Sequence, residues 1–161
     1  MNNAVVEVSS SRLRTMLMFA DRRIDRSKDR AEAVAVSNRI RDRFNEWVDE
    51  HKEVAFHVSR DSKNNTGAEV EVVGFDDGQW MYGYSVQLSD RGCGSGINAH
   101  DTLYPSREEA VRAGVVRVTQ YLLNESVRND VSESLGSQIK KFLKASIEIV
   151  LGEKTKQRSL F

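Results

Sequence analysis

Apolar residues in this chain recur at every third or fourth position up to Val48, at every second position from Val54 to Leu88, and at every third or fourth again from Ala110 to Leu151. These two changes of period constrain the fold more than any other feature. Side chains three and four apart share one face of a helix, and side chains two apart share one face of a strand. The chain is therefore expected to run from helix to sheet and back to helix. Within 11–51, Leu13, Met16, Leu17, Ala20 and Ile24 form one stripe, and Ala33, Val36, Ile40, Phe44, Trp47 and Val48 form a second. Asp25-Arg26-Ser27-Lys28-Asp29-Arg30 separates them with no apolar residue. Either one long helix crosses this stretch or Ser27 caps a second helix.

Three strands are expected next. Residues 53–60 place Val54, Phe56 and Val58 on one face and Ala55, His57 and Ser59 on the other. After the turn-rich 61–67, residues 68–75 turn Ala68, Val70 and Val72 inward. Asp76-Asp77-Gly78 then signals a tight hairpin. Residues 79–88 align Trp80, Tyr82, Tyr84, Val86 and Leu88. Because Val86 and Leu88 continue that face, its aromatics read as core facing the helices rather than as a base-stacking platform. The glycine-rich stretch 91–96 reads as a flexible hairpin or contact loop. It is no phosphate cradle, since the next helix starts only at Ser106 and no Lys-Ser/Thr pair follows the glycines. Residues 97–103 are a candidate fourth strand.

Ser106 and Glu109 form a capping box after Pro105, and Ala110, Val111, Val115, Val118 and Leu122 form the stripe behind it. The last helix is expected over 134–151, with Leu135, Ile139, Phe142, Leu143, Ile147, Val150 and Leu151 on one side and Gly152 as its stop. The expected fold is α+β, a two-layer arrangement of order α(α)βββαα with an antiparallel sheet and helices on its apolar face. Residues 1–152 form one domain, and 153–161 a charged tail.

Length and composition support a single globular domain, with 30% charged and 39% hydrophobic residues among 161. A single cysteine, Cys93, excludes an internal disulfide framework and a cysteine-based zinc site. His51, His57 and His100 lack metal-ligand spacing, so no metal or cofactor is expected. Cys93, His100 and Asp101 have the residue types of a nucleophile, a base and an orienter. A lone loop cysteine is more often incidental, and the chain is read as non-enzymatic. The first residues lack the order of a secretory signal, and Met16-Leu17-Met18-Phe19-Ala20 is too short to span a bilayer, so a cytoplasmic protein without membrane contact is expected.

Charge is zero overall but uneven: net +5 over 11–44, net −8 over 45–137 and net +4 over 138–161. Arg22, Arg23, Arg26, Lys28 and Arg30, with Arg91 in the glycine-rich stretch, are candidate contacts to a nucleic-acid backbone. Interleaved acids could neutralise several of them. The long apolar stripe of 11–51 is also a candidate surface for pairing with a second copy.

The last five residues, Gln157-Arg158-Ser159-Leu160-Phe161, set two large apolar side chains at the end of a charged tail. The pentapeptide resembles the sliding-clamp-binding peptide of bacterial DNA polymerases and repair proteins, with Arg158 at a position where that family often has Leu. The resemblance implies that Leu160 and Phe161 fill an apolar pocket on the clamp and that Gln157 and Ser159 orient the peptide. Trp80-x-Tyr82-Gly83-Tyr84-Ser85 followed by Tyr104-Pro105-Ser106-Arg107-Glu108-Glu109-Ala110 looks like small accessory proteins of phages and mobile elements. The α-βββ-α order is similar to the double-stranded RNA-binding domain, but the acidic Glu108-Glu109 stands where that family places lysines. These resemblances imply a non-enzymatic accessory protein of bacterial or phage DNA metabolism, recruited to the sliding clamp. The alternative is a dimeric interaction or regulatory module in which the tail has no role.

Overall fold

The computed structural model describes residues 8–61 and 66–158. Eight elements follow one another: α1 (Ser10–Ile24), α2 (Arg30–His51), β1 (Glu53–Asp61), β2 (Thr66–Gly74), β3 (Trp80–Gln87), β4 (Gly92–Ser95), α3 (Arg107–Ser126) and α4 (Glu133–Arg158). The strands form one antiparallel sheet in the order β1-β2-β3-β4, so the class is α+β, with the element order expected and a fourth strand. That fourth strand is not 97–103, which forms no strand and is followed by the Trp80–Tyr104 bridge. It is the glycine-rich stretch itself.

Glycine makes β4 possible for a steric reason. A Cβ at Gly92 would lie 2.6 Å from the Val86 carbonyl oxygen, and one at Gly94 would lie 2.9 Å from that of Tyr84. The close approach of two backbones, not flexibility, is what these glycines provide.

Helix ends follow local capping chemistry. Ser106 caps α3 by accepting from the Glu109 amide at 3.2 Å. The break between the first two helices falls at Asp29 rather than Ser27, because Asp29 accepts the Glu32 amide at 3.0 Å while Ser27 turns back onto Asp29. The N-terminus of α1 is capped from across the fold. Asp76, in the β2–β3 turn, accepts from the Ser11 amide at 2.7 Å and the Ser10 hydroxyl at 2.8 Å. Those bonds hold its carboxyl far below the usual range. At the other end of the chain, α4 runs through Gly152, where a stop was expected, to Arg158.

The face of Phe56, Val58, Ala68, Val70, Val72, Val86 and Leu88 packs against α3 and α4 through Ala110, Val115, Val118, Leu122, Leu135, Ile139 and Phe142. Val54 was expected on this face and lies off it. The ladder pairs Val54 with Glu71 and Phe56 with Val70, so Ala55 is the extra residue of a bulge and reverses the alternation before it. Val54 is consequently exposed and Ala55 packs on the core.

The first two helices do not share the α3–α4 side. Val73 and Met81, paired in β2 and β3 and fully buried, point away from Val72 and Tyr82. They join Phe75, Leu13, Leu17, Phe44 and Val48 in a second core at the β2–β3 turn end. Phe75 stacks on Trp47 with ring centroids 5.1 Å apart. Helices thus cover both faces, with α1 and α2 at one end only. The rest of that face carries paired polar residues, such as His57 and Glu69 at 3.5 Å and Lys52 and Glu71 at 3.1 Å.

Candidate functional site

The α3 helix seats unusually close to the sheet because Gly114 faces it. A Cβ there would lie 2.4 Å from Val70 Cγ1 and 3.0 Å from Tyr82 Cδ2. One side of α3 is buried on β2, β3 and α4, and its other side, Ala113, Val116, Arg117 and Gln120, overlooks β3 and β4. Between them opens a hollow of about 520 Å³, walled by Tyr82, Tyr84 and Tyr104 and rimmed by Asp101 and Thr102. A second hollow of about 500 Å³ shares Tyr84, Arg117 and Gln120 and adds Cys93, Tyr121 and Leu123. Together they form a groove between α3 and the edge strand.

The groove is aromatic with one fixed cation. Tyr82 lies 6.5 Å from Tyr84 and 5.7 Å from Tyr104 between ring centroids, tilted at 45° and 48°. Tilted rings present concave walls rather than a flat stacking surface. Burial, with Tyr104 adding to it, pushes the Tyr82 phenol up, and burial does the same for Tyr121. The nearby Tyr84 hydroxyl pushes the Arg117 guanidinium pKa up. The Cys93 thiol is pushed up by burial, opposite to what a nucleophilic thiol needs. His100 bonds Asp21 at 2.7 Å rather than approaching Cys93. The nucleophile, base and orienter arrangement is therefore not assembled.

Asp21 is a junction between α1, α2 and the segment after β4. Its carboxylate accepts from the Ser37 hydroxyl, from Arg41 Nη2 at 2.7 Å and from the His100 ring. Burial raises its pKa, but the bonds from His100 and Ser37 and the Arg41 charge outweigh burial and hold it below the ordinary carboxylate value.

Arg91, expected as an anion contact, is held by carboxylates. Its guanidinium donates to Asp90 at 2.8 Å, to the buried Glu125 at 3.1 Å and to Asp130 at 3.2 Å. It locks the β3–β4 hairpin to the end of α3 and belongs to that network rather than to the other candidate cations. Those residues, Arg22, Arg23, Arg26, Lys28 and Arg30, are all exposed and gather around the α1–α2 turn with Asp25 and Asp29 among them. Gln157 lies within α4, and Ser159, Leu160 and Phe161 lie outside the described residues.

The α1–α2 hairpin also keeps an uncovered apolar strip. Phe19 is 61% exposed, and with Met16, Ala20, Ala33, Val36 and Ile40 it lines a groove of about 410 Å³ flanked by Arg23, Asp29 and Glu32.

Arg117 and Gln120 were not singled out from sequence, and Tyr104 stood out only within the stretch that resembles small accessory proteins of phages and mobile elements. A signal was present in Ala113, Val116, Arg117 and Gln120, whose three- and four-residue steps form a second stripe beside the core stripe of α3. Among the described residues no cluster of His, Cys, Asp and Glu could hold a metal ion, and no helix is long and apolar enough to cross a membrane. No family model, curated protein or solved structure matches the chain.

Proposed function

We propose that this protein is a recruitment factor of bacterial or phage DNA metabolism, without catalytic activity of its own. Gln157, Ser159, Leu160 and Phe161 dock it on the sliding clamp. The observation that carries the reading is the course of α4 beneath that pentapeptide. Among the α4 side chains described up to Leu151 the last buried one is Ser146, Ile149 and Val150 still pack on the main core, and Ile147 and Glu148 are exposed. From Ser146 to Gln157 the helix advances roughly 16 Å at its ordinary rise. Gln157, the first residue of the pentapeptide, therefore stands well past Ser146 along α4.

Leu160 and Phe161 supply the apolar anchoring, and Gln157 supplies orientation. The tether raises local concentration at the fork without high intrinsic affinity. Arg22, Arg23, Arg26, Lys28 and Arg30 add a salt-sensitive contact to the DNA backbone that the clamp encircles. The test is surface plasmon resonance of the protein on an immobilised bacterial sliding clamp, beside the Leu160→Ala/Phe161→Ala variant. Saturable micromolar binding that the double substitution abolishes is expected. No binding by the intact protein would refute the reading.

A second reading is favoured by the exposed Phe19 and its groove on the α1–α2 hairpin. Two copies pressing these faces together would form a four-helix interface. Arg23 on α1 and Glu32 on α2 flank the same groove, so a two-fold axis can set opposite charges against each other. This reading makes the protein a dimeric interaction or regulatory module in which the tail has no role.

A further inference from the structure

We infer that the groove between α3 and β4 binds an extended peptide of a partner protein, which adds to the sheet as a fifth strand. The inference is independent of the clamp reading.

The phase of the β3–β4 ladder sets what the sheet offers at this edge. The Leu88 amide donates to the Arg91 carbonyl at 2.7 Å, closing a two-residue turn. Hydrogen-bonded and non-hydrogen-bonded pairs alternate along an antiparallel ladder. Counting from Leu88 and Arg91, Val86 with Cys93 and Tyr84 with Ser95 are bonded pairs, whereas Gln87 with Gly92 and Ser85 with Gly94 are not. Gly92 and Gly94 therefore turn their N–H and C=O groups outward, two donors and two acceptors along one edge.

Edges are usually guarded by lysine, proline or a bulge, because bare backbone invites another strand. None of these stands in Gly92-Cys93-Gly94-Ser95, and its outward-bonding residues carry no side chain. An incoming backbone meets no obstruction from them.

The hollows fit the side chains of such a strand. Cys93 and Ser95 share the α3 side of the sheet with Val86 and Tyr84, and each lines one hollow. An added residue opposite Cys93 points toward Tyr121 and Leu123, and one opposite Ser95 points toward Tyr82, Tyr84 and Tyr104. Those ligand positions are two apart, about 7 Å along a strand. The matching peptide carries an aromatic side chain at one, for edge-to-face contact with the tyrosines, and a large aliphatic one at the other, against the 48% exposed Leu123. Arg117, shared by both hollows, favours an acidic side chain near them. Main-chain bonds supply affinity and the two hollows supply specificity.

The experiment is selection of a phage-displayed random dodecapeptide library on the full chain, followed by fluorescence polarisation with the best synthetic peptide. Enrichment of peptides with large side chains two apart is expected, with micromolar affinity weakened at least tenfold by Leu123→Arg. That substitution lies on an exposed surface, and an unchanged circular dichroism spectrum verifies the fold. A scan of single N-methyl groups along the peptide gives the specific signature. Affinity should fall at alternate positions, those whose amides bond Gly92 and Gly94, and survive between them. Absence of enrichment, a flat N-methyl scan or indifference to Leu123→Arg would each overturn the inference. So would an oligothymidylate that binds the groove in a Leu123-dependent way while no peptide enriches.

Discussion

Replacing Gly114 by alanine tests how α3 is seated, because two effects of comparable size oppose each other there. Alanine in a helix interior is favoured over glycine by about 1 kcal/mol through backbone entropy alone. Against that, the new methyl would stand 2.4 Å from Val70 Cγ1 and 3.0 Å from Tyr82 Cδ2. Carbon atoms rest at roughly 3.5–4.0 Å, so the helix must rise by about 1 Å or Val70 must move. Val70 is fully buried in the central part of β2, and its branched side chain has few rotamers to escape into. Overpacking of this kind costs about 1–3 kcal/mol, so Gly114→Ala should lower stability by up to about 2 kcal/mol. Gly136 in α4 is the control. Its Cβ would meet nothing nearer than Val131 Cγ1 at 3.6 Å, an ordinary contact. Gly136→Ala should therefore raise stability by about 0.5–1 kcal/mol. Urea denaturation followed at 222 nm gives both numbers, with unchanged slopes as the check on two-state unfolding. Two stabilised variants would show that helix propensity alone decides and that α3 does not approach the sheet as described.

Asp21→Asn should cost about 1–3 kcal/mol at pH 7, since Ser37, Arg41 and His100 lose a charged acceptor. The folded-state pKa of Asp21 is depressed, so its contribution is complete above the unfolded value of about 3.9 and disappears as pH falls through the folded one. Urea midpoints of the two proteins should therefore differ at pH 7 and converge as pH falls below about 3.9 and through the folded-state value, and a gap constant with pH would contradict this. Phe19→Asp should convert a dimer into a monomer in sedimentation velocity at about ten times the dissociation constant. A wild-type chain that stays monomeric at its highest soluble concentration, or a variant that stays dimeric, would remove the helical face as the interface.

What was legible in the sequence was whatever has a period. The capped start of α3 and its stripe from Ala110 to Leu122 are buried as spaced, and the meander of β1, β2 and β3 follows the alternation of Val70, Val72, Tyr82 and Val86. Glycine carries no period, so β4 was hidden, and the residues read as loop are the sheet edge. The bulge at Ala55 was hidden for a related reason, since one extra residue leaves the composition unchanged and only shifts the phase. Which face α1 and α2 cover is not set by their own stripes, which state that burial occurs but not against what. The clue lay in the strands. Val73 follows Val72, and Met81 stands between Trp80 and Tyr82, so both faces of the sheet are apolar at that end and each requires a cover.

That placement has a consequence for function. With α1 and α2 drawn to the opposite face, α3 and α4 alone cover the main core. Gly114 and Gly136 are spaced along them, and the flank of α3 beside β4 is left open as the tyrosine groove. Had all four helices packed on one face, as the stripes alone suggest, a helix would fill that position and the edge strand would have no groove beside it. The three surfaces consequently lie on separate elements: Phe19 on α1, Leu123 on α3, and the pentapeptide beginning within α4. Substitutions at distant sites without shared partners usually act additively. Phe19→Asp, Leu123→Arg and Leu160→Ala/Phe161→Ala should therefore each remove one interaction and spare the other two. A variant that weakens two of them at once would mean that the surfaces meet in an assembled state, with self-association creating part of the binding site for a partner.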